Sequence, residues 1–307
     1  MNADRAGPHP GLASSLLLVI VLALTWGCNW PVIKVGVTEM APLTFRAATL
    51  PFAALGLLGI ARISGEPVGI PRAWWGRVTM LAMLNIAAWS ALIVFGVQQI
   101  PAGRSAIIAY TLPIWSVLFS LWLLHEPLSG RKIAGLVLGL AGMAVLLGEE
   151  AMNVRRAPIG TLLILGAAVA WGLGTVLLRR WAPPLPHVAL TGWMMLIGWI
   201  PLALAAPALD PWFHSLEGIS GAAWFALLYN IFISGAIANW AWFKLAQTLP
   251  VAVSSLSSLP VPVIGVFSGM LFLGERPGAN EFIALTLVLA SVACVMWPDR
   301  RARSSRP

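Results

Sequence analysis

Charge is scarce in this 307-residue chain: 10% of residues are charged, where soluble domains carry about 25%. Water is therefore not its main solvent. Acids are fewest, eleven against nineteen basic residues. The aspartates Asp4, Asp210 and Asp299 lie outside the apolar stretches, and the four histidines sit at or beyond their ends. No buried base, paired aspartates or cluster of metal ligands can be assembled, and no G-x-S-x-G or H-E-x-x-H motif occurs. The chain is read as no enzyme, with no catalytic residues, no metal and no cofactor. Its two cysteines, Cys28 and Cys294, fall inside apolar stretches and read as apolar fillers rather than a disulfide.

What abounds is apolar length. Hydrophobic residues make up 59% of the chain and the mean hydropathy is +0.86. Stretches near the ~20 residues needed to cross a bilayer recur at 13–37, 41–63, 76–97, 102–124, 130–148, 158–180, 186–206, 222–246, 251–273 and 279–297. Ten spans joined by short connections leave no room for a soluble domain. The first stretch is too long for a signal-peptide core and lacks a small-x-small cleavage site, so it reads as an uncleaved span.

The net charge of +8 raises nucleic acid as a partner. The basic residues are dispersed among loops, however, and form no stripe with interleaved aromatics; no nucleic-acid binding is read. They report topology instead. With the N-terminus in the cytoplasm, Arg5, Arg62, Arg72, Arg77, Arg131, Lys132, Arg179, Arg180, Lys244, Arg300, Arg301, Arg303 and Arg306 lie inside, against Arg104, Arg155, Arg156 and Arg276 outside. The positive-inside bias puts both termini in the cytoplasm, which an even span count requires.

An internal repeat organises these spans. Shifting residues 75–146 by 149 aligns them without a gap on 224–295: Trp75 meets Trp224, Gln98 meets Gln247, Pro101 meets Pro250, Ser105 meets Ser254, Pro113 meets Pro262 and Glu126 meets Glu275. Near the first span of each half the shift is 145, with Trp26-Gly27 on Trp171-Gly172 and Lys34 on Arg179. Five spans per copy turn the second copy upside down, and the charge count places Glu126 inside and Glu275 outside accordingly. The fold expected is an all-α membrane protein of ten transmembrane helices, as two inverted five-helix repeats over 13–148 and 158–297 with cytoplasmic tails 1–12 and 298–307. Inverted repeats are a hallmark of secondary transporters, where substrate binds near the midplane between the halves.

The first half reads Thr25-Trp26-Gly27-Cys28-Asn29-Trp30, then Lys34, Pro42 and Arg46. The stretch from Pro101 through Pro113 to Leu124-His125-Glu126-Pro127 returns as Pro262 through Leu273-Gly274-Glu275-Arg276-Pro277. In these motifs the chain resembles the EamA-domain members of the drug/metabolite transporter superfamily, from Ser14 to Met296. Gly174 departs from the pattern, standing where Asn29 would recur. The resemblance implies a ten-span carrier whose central cavity is lined by spans 1–4 and 6–9. It is closest to bacterial inner-membrane exporters of aromatic and other hydrophobic amino acids.

Polar and aromatic residues at membrane depth nominate a site. Asn85 and Trp89 lie one turn apart on span 3, Tyr110 lies on span 4, and span 8 offers Tyr229, Asn230 and Asn239. Asparagine and tyrosine in hydrocarbon need partners and should face inward. Asn29 is a further polar candidate. Trp26 and Trp171, matched between the halves, either line the cavity or fill space. Ser254, Ser257 and Ser258 share one face of span 9 and serve either helix packing or substrate contact. Pro113, Pro260 and Pro262 mark spans 4 and 9 as kinked, with a hinge as the functional reading. Snorkelling accounts for Lys34; Arg46 stays open between snorkelling and a carboxylate contact. Glu126 and Glu275 read as carboxylates stabilising helix N-terminal amides. Gly135, Gly139 and Gly142 suit internal packing or dimerisation, and a monomer is compatible with the sequence.

No Asp or Glu lies in the middle of any span. Without a buried carboxylate there is no evident proton relay and no counter-charge for a drug cation. The function expected is alternating-access export of neutral amino acids across the bilayer, as a facilitator; the alternative is a multidrug or other small-metabolite exporter, proton-coupled or not.

Overall fold

The computed structural model describes residues 12–125, 129–152, 159–210, 218–239, 241–242 and 259–296. Among them there is helix and no strand. The helices are α1 (Leu12–Gly27), α2 (Asn29–Glu39), α3 (Pro42–Ile63), α4 (Trp75–Ala82), α5 (Trp89–Gln99), α6 (Ala102–Ala109), α7 (Leu112–Leu123), α8 (Gly130–Met152), α9 (Ile159–Trp181), α10 (His187–Leu209), α11 (Gly221–Leu228), α12 (Pro260–Leu273) and α13 (Ala279–Met296). Among the described residues six helical stretches are long and apolar enough to cross a membrane: Leu17–Glu39, Pro42–Ile63, Arg72–Gln99, Ala102–Leu123, Ile159–Trp181 and His187–Leu209. Gly221–Ile237, Pro260–Leu273 and Ala279–Val295 are shorter apolar helices. Large apolar side chains such as Phe52, Leu204 and Leu271 face outward, as expected of a protein solvated by lipid.

Four of the helical stretches are irregular. The first breaks between α1 and α2 at Cys28. Pro31 has no N–H for the preceding turn, and hydroxyls from elsewhere reach carbonyls at the break: Tyr229 donates to Thr25 O at 2.8 Å and Ser268 to Gly27 O at 3.4 Å. The fourth breaks at Tyr110–Thr111, and Pro113 lies in the first turn of α7. The rod Arg72–Gln99 widens into a π-helical segment at Met83–Ala88, and Tyr229–Ile237 is a second such segment at the position matched by the 149-residue shift.

Packing sets helices of one half of the chain against helices of the other. α3 lies on α10, α8 on α13, and α6 on α12. Each pair runs antiparallel: Gly135 meets Val295 while Gly142 meets Leu287, and Gly103 meets Val266 while Ala106 meets Gly265. Glycine lets these backbones approach. A Cβ on Gly172 would stand 2.8 Å from Trp115 Cβ, and one on Gly27 2.5 Å from Ile264 Cβ. Shifting Gly27 by 145 and Trp115 by 149 turns one contact into the other. Gly135, Gly139 and Gly142 all pack against α13, so the internal role holds for these three.

Carboxylates tie the helix ends. Glu275 accepts from the amides of Ala102 (2.6 Å) and Gly103 (3.0 Å) at the start of α6. Asp210 accepts from Thr44 N (2.6 Å) and Thr44 Oγ1 (2.7 Å) at the start of α3, and Glu39 from Ser220 N (2.8 Å) and Oγ (2.7 Å) ahead of α11. A carboxylate is stabilising at the positive end of a helix. Arg104 pairs with Glu281 at 3.2 Å.

Candidate functional site

The crossing of the Arg72–Gln99 rod with α9 gathers the largest share of the nominated residues. Trp89 and Trp171 face each other with ring centroids 4.8 Å apart and planes tilted by 57°. One turn away, Asn85 lies against Gly174, where any Cβ would collide with its amide. The two rungs belong to one antiparallel seam that continues through Gly96 against Ile164 and Gly160 against Ile100. The departure of Gly174 from the repeat pattern has its reason here: the asparagine that would recur at this place would overlap Asn85.

Asn85 is buried, and its Oδ1 has no hydrogen-bond partner. Its position in the π-helical segment Met83–Ala88 explains how a polar side chain is turned into a seam otherwise made of apolar residues; such bulges are frequent at functional sites. Asn29, at the start of α2, also has a buried Oδ1 without a partner. An unmet acceptor in a low-dielectric interior costs about 1–3 kcal/mol.

A second cluster lies where α3 meets the other π-helical segment. Arg46 is buried, and its Nη1 donates to Asn230 Oδ1 at 3.2 Å. Asn230 in turn donates through Nδ2 to Ala226 O at 3.1 Å. Arg46 does not snorkel.

Other nominated residues have structural work. The Tyr229 hydroxyl is bonded to Thr25 O. Asn239 donates to Ser234 O at 3.2 Å and Gly235 O at 2.8 Å, within the carbonyls of the π-helical turn. Trp26 packs on Trp242 at 5.9 Å. Tyr110 caps α6 at the break and packs against the main apolar core. Pro113 sits in the first turn of α7 just past a break rather than at mid-helix, and Pro260 and Pro262 occupy the first turn of α12, where proline is tolerated. Ser254, Ser257, Ser258 and Glu126 lie outside the described residues.

Lys34 corrects the snorkelling expectation. Its Nζ donates to the carbonyls of Val97 (2.7 Å), Gln98 (3.0 Å) and Ile100 (3.1 Å), closing the C-terminal end of α5, the favourable place for a cation. Pro31, Trp242 and Ser268 were not singled out from the sequence. Of these, Pro31 was legible, since a proline inside an apolar stretch breaks or kinks it.

The profile of the EamA-like transporter family matches twice, over residues 13–148 and 158–297. The chain is similar to the uncharacterized transporter YoaV of Bacillus subtilis, 26% identical over 278 residues that cover 90% of this chain and 94% of that one. It is similar to a probable amino-acid metabolite efflux pump of Escherichia coli, 26% identical over 282 residues, 90% of this chain and 92% of that one. A crystal structure 22% identical to it superposes with a TM-score of 0.65 over 92% of this chain and 97% of the other, a likeness of fold alone.

Proposed function

From membership of the EamA-like transporter family, to which this chain belongs, we propose that it exports neutral amino acids, aromatic and other hydrophobic ones, by alternating access and without a proton relay. It is a multi-pass membrane protein and a transporter rather than an enzyme. In this reading the chain holds ten spans in two inverted five-helix repeats, 13–148 and 158–297, with both termini in the cytoplasm and the inner membrane as its place. The antiparallel pairing of α3 with α10 and α8 with α13 supports the inversion.

The observation that carries the substrate class is the seam with Trp89, Trp171 and Asn85. Two tilted indoles offer apolar ring surface to a side chain, and the unmet Asn85 Oδ1 offers an acceptor to an ammonium group. The efflux-pump relative supports the direction and the class. Facilitation rests on the absence of any acid in mid-span.

Uptake of labelled amino acids into proteoliposomes, with and without a pH gradient, tests the reading. Saturable movement of phenylalanine or tryptophan without an imposed gradient is expected. Strict dependence on the gradient would overturn the facilitator mechanism. Transport of a cationic dye and of no amino acid would leave the multidrug alternative.

A further inference from the structure

The least balanced group among the described residues is a buried cation. Arg46 stands one turn into α3 and is 8% exposed. Its guanidinium stays protonated in any protein environment. An unpaired buried charge is costly unless something compensates it. The protein supplies little: Nη1 donates to the neutral Asn230 amide, the Phe45 ring centroid lies 5.6 Å from Cζ, and Nε is buried with no partner. No carboxylate is placed against it among the described residues, although the carboxylates Glu39, Asp210 and Glu275 all serve helix ends elsewhere.

The geometry of what is left over is specific. Asn230 is oriented by its own Nδ2 bond to Ala226 O, which turns Oδ1 toward Arg46 and engages Nη1. The other edge of the guanidinium, Nε with Nη2, is the edge that receives a carboxylate through two parallel N–H···O bonds. A glutamate at position 230 would have neutralised the arginine permanently. A neutral amide steadies the guanidinium and leaves the charge available.

We propose that Arg46, positioned by Asn230, is the carboxylate receptor of the transport path, so that a transported substrate must carry a carboxylate group. This rests on the amino-acid reading above and narrows it. The Nε–Nη2 edge takes the substrate carboxylate through two parallel N–H···O bonds. Amines that lack the carboxylate are rejected, because they leave the buried charge uncompensated.

The test is calorimetric titration of the full-length chain in detergent with phenylalanine, 3-phenylpropionate and phenylethylamine. Phenylalanine and 3-phenylpropionate should each bind at least about tenfold more tightly than phenylethylamine, the scale of one charge-assisted hydrogen bond. Arg46→Gln should bring the three within about twofold of one another, and Asn230→Ala should shrink the preference without reversing it. Equal binding of phenylethylamine and 3-phenylpropionate by the wild type overturns the proposal without any variant, so misfolding of Arg46→Gln cannot shelter it. A preference kept intact in a folded Arg46→Gln chain overturns it too. Arg46-dependent binding of 3-phenylpropionate with no transport of any amino acid would sustain the receptor and sink the amino-acid reading; binding of none of the three would sink both.

Discussion

The two halves of the molecule make the same contacts with different residues. Where the π-helical segment of one half crosses the second span of the other, Ile86 lies over Gly198 in one copy and Gly235 lies under Ala53 in the other. These positions correspond under the 149- and 145-residue shifts, so the contact is conserved in place while bulk moves from one partner to the other. At the tryptophan–glycine motif the small residue stays on the same side in both copies, with Gly27 against Ile264 and Gly172 against Trp115. The scaffold repeats because helix crossings need one small residue, and either side can supply it. Chemistry has no such freedom. Asn85 in the first half answers to Ser234, Trp89 to Ala238, Arg46 to Thr191 and Asn29 to Gly174, so the polar and aromatic groups of the candidate site are concentrated on the first copy.

The strongest way to break the scaffold side of this comparison is to fill one small partner. Gly198→Ile sets two isoleucines into the space of one, and overpacking of this kind costs about 1–3 kcal/mol, occasionally more. Melting in detergent and membrane abundance should both fall sharply. The exchange Ile86→Gly with Gly198→Ile moves the bulk to the other helix, the side on which the second copy carries the larger residue of its Gly235–Ala53 pair, and should recover most of the loss. Strict additivity of the two substitutions would show that the crossing is not the complementary unit inferred here.

The chemical side is sharpened by the tryptophans. Trp89→Ala should lower transport by about tenfold or more with abundance unchanged, the size of effect that removal of an aromatic anchor produces. Trp242→Ala, which unpairs Trp26, should lower it far less, since that pair lies outside the seam of Asn85 with Gly174. Equal losses at both places would make the site as symmetric as the scaffold.

This division also governs what was readable in the sequence. The helices, the repeat and the crossings follow from apolar length and small residues, which are local properties. The break in the first span was readable from Pro31, and a helix-end role for Glu275 from its position at a turn. Which helix end it serves was not, because the amides of Ala102 and Gly103 are 172 or more residues away in the chain. Arg46 and Lys34 looked alike as cations near span ends; one is buried against Asn230 and the other is bonded to three carbonyls, a distinction made by packing alone. Gly174 was visible as a departure from the repeat, but its cause, the amide of Asn85, belongs to another helix.

A smaller effect tests whether the second half braces the first through its carboxylates. Glu275→Ala strips the acceptor from two amides at the start of α6, a capping loss of about 0.5–2 kcal/mol. The melting temperature should drop, and Glu275→Gln should recover part of it, because the amide oxygen still accepts but carries no charge for the helix dipole. An unchanged melting temperature in Glu275→Ala would remove this brace.

The smallest expected difference separates Lys34 from Arg179, its counterpart under the 145-residue shift. Lys34 is partly buried and bonded to the carbonyls of Val97, Gln98 and Ile100, whereas Arg179 is exposed at the end of α9. A cation at a helix C-terminus contributes about 0.3–1 kcal/mol when exposed and up to ~2 kcal/mol when partly buried. Lys34→Met keeps the stem and removes the donors, so its cost should fall toward the upper end, and that of Arg179→Met at or below the lower end. High salt should narrow the gap little, since a partly buried cation held by three carbonyls is screened far less than one in solvent. If the two substitutions cost the same, or if salt abolishes the difference, Lys34 acts as a surface charge, and the first half holds no tighter closure at this end than the second.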